Sequence, residues 1–158
     1  SYVYSYGLPV IITRGNNVYG PRQYPEKLIP KFIKLLSQNK KCTIHGEGYT
    51  ERSFLYIDDV IKAFECILFK GKIGEIYNIG TNYEYSVMEI TRRLIKMIHN
   101  CELENERDIQ KYIEFVEDRQ YNDKRYNISF NKLLNLGWKQ ETFIDDGLKK
   151  TIEYYCNI

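Results

Sequence analysis

No apolar run in the 158-residue sequence approaches the roughly 18–20 residues that a membrane span needs. The first residues also lack the charged-then-apolar pattern of a secretory signal. Neither sign of charge dominates, since 23 Lys and Arg face 21 Asp and Glu for a net charge of +2. That balance excludes a surface built to coat nucleic acid, while leaving room for a local anion site. Cysteine and histidine are scarce. Cys42, Cys66, Cys101 and Cys156 form no Cys-x-x-Cys pair, and His45 and His99 stand far apart. His99 and Cys101 together supply half a metal site at most, so no metal is expected. Reduced thiols in a cytoplasmic protein are the expectation. No Gly-rich nucleotide fingerprint occurs anywhere in the chain. Tyrosine is abundant instead, at 15 residues, and reads as compositional bias. With 43% apolar and 28% charged residues, the chain has the make-up of a folded globular protein with a core of its own.

The pattern along the chain alternates strands and helices, which is an α/β reading. Ser1 to Tyr6 reads as the end of a helix closed by Gly7. Val10-Ile11-Ile12 is a wholly apolar run, expected as a strand buried on both faces. Residues 14–25 are a loop, and a helix is expected from about Glu26 to Ser37, with Leu28, Ile29, Phe32, Ile33 and Leu36 at helical spacing. Thr43-Ile44 and Phe54 to Ile57 read as strands. Asp58 is placed as the cap of a helix over Val60 to Phe69, with Asp59 paired to an arginine. Glu75 to Ile79 is a further strand. Ser86 and Glu89 have the spacing of a capping box, opening a helix to about His99. Residues 102–110 read as loop with some helix, and Ile113 to Val116 as a strand. Ser129 is expected to cap a short helix that Gly137 closes. Thr142 is expected to cap the last helix, Phe143 to Tyr155. Tyr19 and Trp138 are expected in the core.

Three segments carry more specific information. The first is Thr13-Arg14-Gly15-Asn16-Asn17-Val18-Tyr19-Gly20-Pro21 with Tyr24-Pro25-Glu26-Lys27-Leu28-Ile29-Pro30. The second is Ile44-His45-Gly46-Glu47-Gly48 running into Arg52-Ser53-Phe54-Leu55-Tyr56-Ile57-Asp58-Asp59-Val60. The third is Val116-Glu117-Asp118-Arg119 with Asn122-Asp123 and Arg125-Tyr126. In this order they resemble the C-terminal half of the extended short-chain dehydrogenase/reductases that act on nucleotide sugars. The Pro-Glu-Lys-Leu-Ile-Pro and Glu-Asp-Arg stretches resemble the dTDP-glucose 4,6-dehydratase branch. The resemblance implies the C-terminal part of an NAD-binding Rossmann-type fold, mainly its smaller substrate-binding domain. Residues 1–20 and about 72–82 would be remnants of the dinucleotide-binding domain. Residues 21–71 and 83–158 would bind the nucleotide sugar. The family's Gly-x-x-Gly-x-x-Gly loop, Tyr-x-x-x-Lys pair and Thr-Asp-Glu set are not in this sequence. No catalytic residue is therefore expected here, and the chain alone is expected not to turn over.

Arg52 and Arg119 are the central candidates. A guanidinium holds phosphate oxygens through parallel N–H bonds and never loses its charge. In the family, arginines at these places hold the substrate diphosphate. The bland alternatives are an Arg52 pair with Asp58 or Glu51, and an Arg119 pair with Asp118. Asn17 follows a strand, where open α/β sheets bind ligands, and the resemblance assigns it to substrate or cofactor. An Asn in a turn is its alternative. Val18 replaces a second Asn found in some members, and Asn16 could supply that contact. Lys27 and Leu28 open a helix whose N-terminus attracts anions. A solvated Lys and a core Leu are the alternatives. By resemblance, Thr43 and His45 lie along the nucleobase, and Asn122 meets ribose or phosphate.

The expected parent is a homodimeric enzyme that uses bound NAD to convert dTDP-glucose to its 4-keto-6-deoxy product. Another epimerase, dehydratase or decarboxylase of the family is the near alternative. A non-catalytic nucleotide-sugar binding module is the alternative from another class.

Overall fold

The computed structural model describes residues 1–118 and 128–156. In chain order it contains α1 (Tyr2–Tyr6), β1 (Ile12–Gly15), β2 (Asn17–Tyr19), α2 (Leu28–Ser37), β3 (Cys42–His45), β4 (Glu51–Tyr56) and α3 (Ile57–Lys70). Then follow β5 (Ile76–Ile79), β6 (Glu84–Ser86), α4 (Val87–His99), α5 (Glu106–Gln110), β7 (Ile113–Val116), α6 (Asn131–Asn135) and α7 (Ile144–Cys156). Among the described residues no helix is long and apolar enough to cross a membrane.

The strands make three small sheets. β1 pairs with β5 in parallel, β3 with β7 in parallel, and β4 sits between β2 (parallel) and β6 (antiparallel). Successive side chains of a strand point to opposite faces, and β4 uses this to separate two cores. Phe54 and Tyr56 enter a core with Phe32, Ile33, Leu36, Ile44, Ile90, Leu94, Ile95 and Leu148. Leu55, between them, enters a second core with Val60, Ala63, Ile67, Ile79, Leu133 and Trp138. β2 does the same, with Tyr19 in the first core and Val18 against the second.

Several local expectations hold. Gly7 closes α1 at φ +62° and donates to Val3 O. The Ser86–Glu89 capping box is complete, with each side chain meeting the other's backbone N–H. Tyr19 and Trp138 are buried.

Others are corrected. The strand expected at Val10 to Ile12 begins at Ile12, and it is mostly exposed. Its sole sheet neighbour among the described residues is β5, so the apolar run has one paired edge. Asp58 does not cap α3. Tyr56 holds the N-cap position, and the helix starts at Ile57. Among the described residues Asp59 pairs with no arginine; its buried carboxylate accepts from the backbone N–H groups of Glu141 and Thr142. Trp138 Nε1 donates to the Asp59 carbonyl, so this residue pins the 138–142 segment. Ser129 does not cap α6, whose N-cap is Phe130; the Ser129 carbonyl accepts from Asn78 Nδ2.

Candidate functional site

Asn17, Lys27, Leu28, Thr43, His45 and Arg52 line one cavity of about 500 Å³. They come from four elements separated in sequence, so the fold gathers them. Asn17 opens β2 directly after the chain leaves the β1–β5 sheet. Lys27 is the N-cap of α2, and Leu28 is its first helical residue. Thr43 and His45 are alternate residues of β3 and so share a face. Arg52 lies in β4, opposite Tyr85 of β6.

The cavity's charge is uneven. Among the described residues that line it, Lys27, Lys31 and Arg52 are basic and Glu26 alone is acidic. Among the described residues no side chain caps α2, and the first N–H groups of a helix have no partner within it. Pro30 has no N–H, so the donors left at this end are the backbone groups of Leu28 and Ile29. Cations beside free helix N–H groups favour an anion. The Arg52 guanidinium donates from Nη1 to the Glu51 carbonyl at 2.8 Å.

The β3 residues of the cavity are polar. Thr43 Oγ1 donates to Glu114 Oε1 at 3.2 Å. His45 Nδ1 lies 3.3 Å from the Glu117 carbonyl. A carbonyl accepts only, so this contact is a hydrogen bond with Nδ1 as its donor. Phe32 and Phe54 supply an apolar floor.

Arg119 and Asn122, with Tyr121 and the Asn122-Asp123 and Arg125-Tyr126 motifs, lie outside the described residues. Several cavity residues carry no signal in the sequence reading, among them Gln23, Lys31 and Thr50. Lys31 stands four residues after Lys27 on α2, a spacing that puts both on one helix face. Gln23 lies in a loop without periodicity, so only the three-dimensional structure reveals it.

Residues 1–151 match the family model described as GDP-mannose 4,6 dehydratase. The chain belongs to the GDP-mannose 4,6 dehydratase family. A dTDP-D-glucose 4,6-dehydratase of Homo sapiens is 51% identical over 155 residues, covering 98% of this chain and 44% of the relative. A trifunctional UDP-glucose 4,6-dehydratase, 3,5-epimerase and reductase of Arabidopsis thaliana is 50% identical, covering 98% of this chain and 22% of that protein. The crystal structure of a Streptomyces venezuelae dTDP-glucose 4,6-dehydratase, with NAD and dTDP bound, superposes with a TM-score of 0.88 at 33% identity. It covers 99% of this chain, which spans 46% of that structure. This GDP-mannose 4,6 dehydratase family member thus has the α/β fold of the NAD-binding extended reductases, as its sequence motifs imply. It spans less than half the length of these relatives.

Proposed function

We propose that this chain forms the nucleotide-sugar site of a dTDP-glucose 4,6-dehydratase, and that the catalytic groups lie outside it. The observation that carries the reading is the cavity itself. Three basic side chains, an uncapped helix N-terminus and the polar side chains of Thr43 and His45 line one space. A diphosphate with about two negative charges matches Arg52 and Lys27. A pyrimidine matches Thr43 and His45, where an imidazole face can stack. Leu28 supplies a backbone donor and an apolar edge. Arg119 and Asn122 are proposed as further diphosphate and ribose contacts on the sequence motifs alone. Binding the nucleotide at several points holds the sugar in one orientation for groups elsewhere, which is worth much of a rate enhancement.

The residues also bear on NAD. Asn17, exposed at the exit of β1, has both a donor and an acceptor to offer an amide or hydroxyl. It fits an edge contact with the cofactor, and the sequence offers no Gly-rich cradle for the NAD pyrophosphate. NAD, when bound, supplies the hydride acceptor at sugar C4 and the hydride donor at C6, around loss of water across C5–C6. In this reading residues 1–20 and about 72–82, with β1 and β5, belong to the dinucleotide-binding domain, and about 21–71 and 83–158 to the substrate side. The resemblance extends the proposal to a homodimeric cytoplasmic parent, and the four free thiols fit that compartment.

A second reading has UDP-glucose as the substrate. It is favoured by the near-equal identity to the human and Arabidopsis relatives, 51% and 50%. Calorimetric titration with dTDP-glucose and UDP-glucose separates the two. The expected result is tighter binding of the thymidine ligand and a loss of tenfold or more with Arg52→Ala, the cost of removing a charge-assisted phosphate contact. Unchanged affinity in Arg52→Ala would overturn the diphosphate assignment. Turnover by this chain alone would overturn the placing of the catalysis elsewhere.

A further inference from the structure

Two side chains that line the cavity carry polar atoms that are hidden from water and have no hydrogen-bond partner among the described residues. Asn16 has both side-chain polar atoms buried with no hydrogen-bond partner among the described residues, and Gln23 has its Oε1 in the same state. Both residues line the cavity that holds Arg52 and Lys27. Buried polar groups are nearly always paired, so unpartnered groups lining one cavity call for a ligand.

The surroundings fix what each can accept. Gln23 Nε2 donates to the Val18 carbonyl at 2.6 Å. A carbonyl cannot donate, so the amide orientation is set and Oε1 is the free atom. The residue is also held through its backbone, where its carbonyl accepts from Tyr155 Oη at 2.6 Å. Oε1 therefore stands ready as a rigid acceptor. Asn16 marks the point where the chain leaves one sheet for another, since β1 pairs with β5 and β2 with β4. Its backbone N–H is used by the Ile79 carbonyl, and its carboxamide is left with a donor and an acceptor.

A diphosphate accepts hydrogen bonds and has none to give, so it cannot satisfy Gln23 Oε1. A sugar hydroxyl can, because it donates and accepts at once. We infer that Asn16 and Gln23 bind hydroxyl groups of the glycosyl unit of the nucleotide sugar, in the cavity that they share with Arg52 and Lys27. The inference rests on the nucleotide-sugar reading above. It makes these two residues determinants of sugar specificity.

The test compares dTDP-glucose with dTDP by calorimetry, in the unaltered protein and in Asn16→Ala and Gln23→Met. The unaltered protein is expected to prefer dTDP-glucose. Each variant is expected to lose about tenfold or more of its dTDP-glucose affinity, as sites built for a hydroxyl do when the pairing is broken, while dTDP affinity stays within about twofold. Retained dTDP binding also shows that the variant is folded. Asn16→Ala carries the test should Gln23→Met fail to fold, because the described fold makes no use of the Asn16 carboxamide. Equal affinity of the unaltered protein for both ligands would overturn the inference alone. So would a loss in Asn16→Ala that is the same for both ligands, or no loss. Binding of neither ligand by the unaltered protein would overturn the nucleotide-sugar reading and this inference with it.

Discussion

Helices α3 and α4 differ by one residue in length, 14 against 13, and present opposite outer faces. α4 buries Ile90, Leu94 and Ile95 and turns Arg92 and Lys96 to solvent. It is an ordinary amphipathic helix. α3 buries Val60, Ala63 and Ile67, yet its other side carries Ile61, Phe64, Leu68 and Phe69, exposed at 50%, 51%, 74% and 81%. A helix apolar on two sides has the composition of an element packed between two layers. The same contrast runs through the strands. β3 has its apolar residues Cys42 and Ile44 fully covered, whereas Ile12 of β1 is 49% exposed. The lobe around α2, α4 and α7 is finished as a core. The side formed by α3, β1 and α1 has more apolar surface than the described residues cover.

Mutations can sharpen or break this contrast. The largest effect is expected from a pair. Leu94→Ala, in the finished core, should cost about 2–5 kcal/mol in a denaturant titration. Leu68→Ala, on the outer face of α3, should stay within about 0.5 kcal/mol. Similar costs at both sites would mean that α3 is covered in solution. Gly147→Ala comes next. A Cβ there would fall 2.1 Å from Tyr19 Oη and 3.0 Å from Tyr56 Cδ2. Tyr19 cannot swing aside freely, being buried with its hydroxyl donating to the Ile144 carbonyl at 3.3 Å. The expected cost is about 1–3 kcal/mol, read as a lower melting temperature. A stability equal to the unaltered protein would show that α7 packs less tightly than described.

Thiol chemistry reads the contrast most gently. Burial pushes the Cys42 thiol up to about 12, and the thiolate is the reactive form. Cys156 is exposed and Cys66 on α3 partly so. Alkylation at mild alkaline pH, followed by mass spectrometry, should label Cys156 first and Cys42 last. The same shift gives a pH dependence. A thiol whose folded pKa is raised keeps its proton when the unfolded chain has released it. Its contribution is intact below the ordinary thiol pKa of 9.0 and is lost as pH rises towards about 12. Early labelling of Cys42 would mean that the first core opens as readily as the α3 side.

Much of the finished lobe was legible in the sequence, because local rules and burial agree there. The spacing of Ile29, Phe32, Ile33 and Leu36 marks α2, and Ser86 with Glu89 marks the start of α4. The errors fall where tertiary contacts override local ones. Asp58 has the chemistry of a cap, but β4 runs straight into α3 and leaves no cap position for it. Asp59 serves backbone groups some eighty residues away, which no local pattern reveals. The β6 strand is three residues long and exists by pairing with β4. The cavity shows the same split. Lys27, Thr43, His45 and Arg52 stand in motifs, and the fold brings them together. Gln23 has no motif of its own, since its role depends on Val18 and Tyr155 holding it.

A crystal structure of the protein with dTDP-glucose tests the central claim most directly. The diphosphate is expected against Arg52 and Lys27, the base along Thr43 and His45, and the glucose hydroxyls on Asn16 and Gln23. A nucleotide seated elsewhere, or one whose diphosphate avoids Arg52 and Lys27, would contradict it.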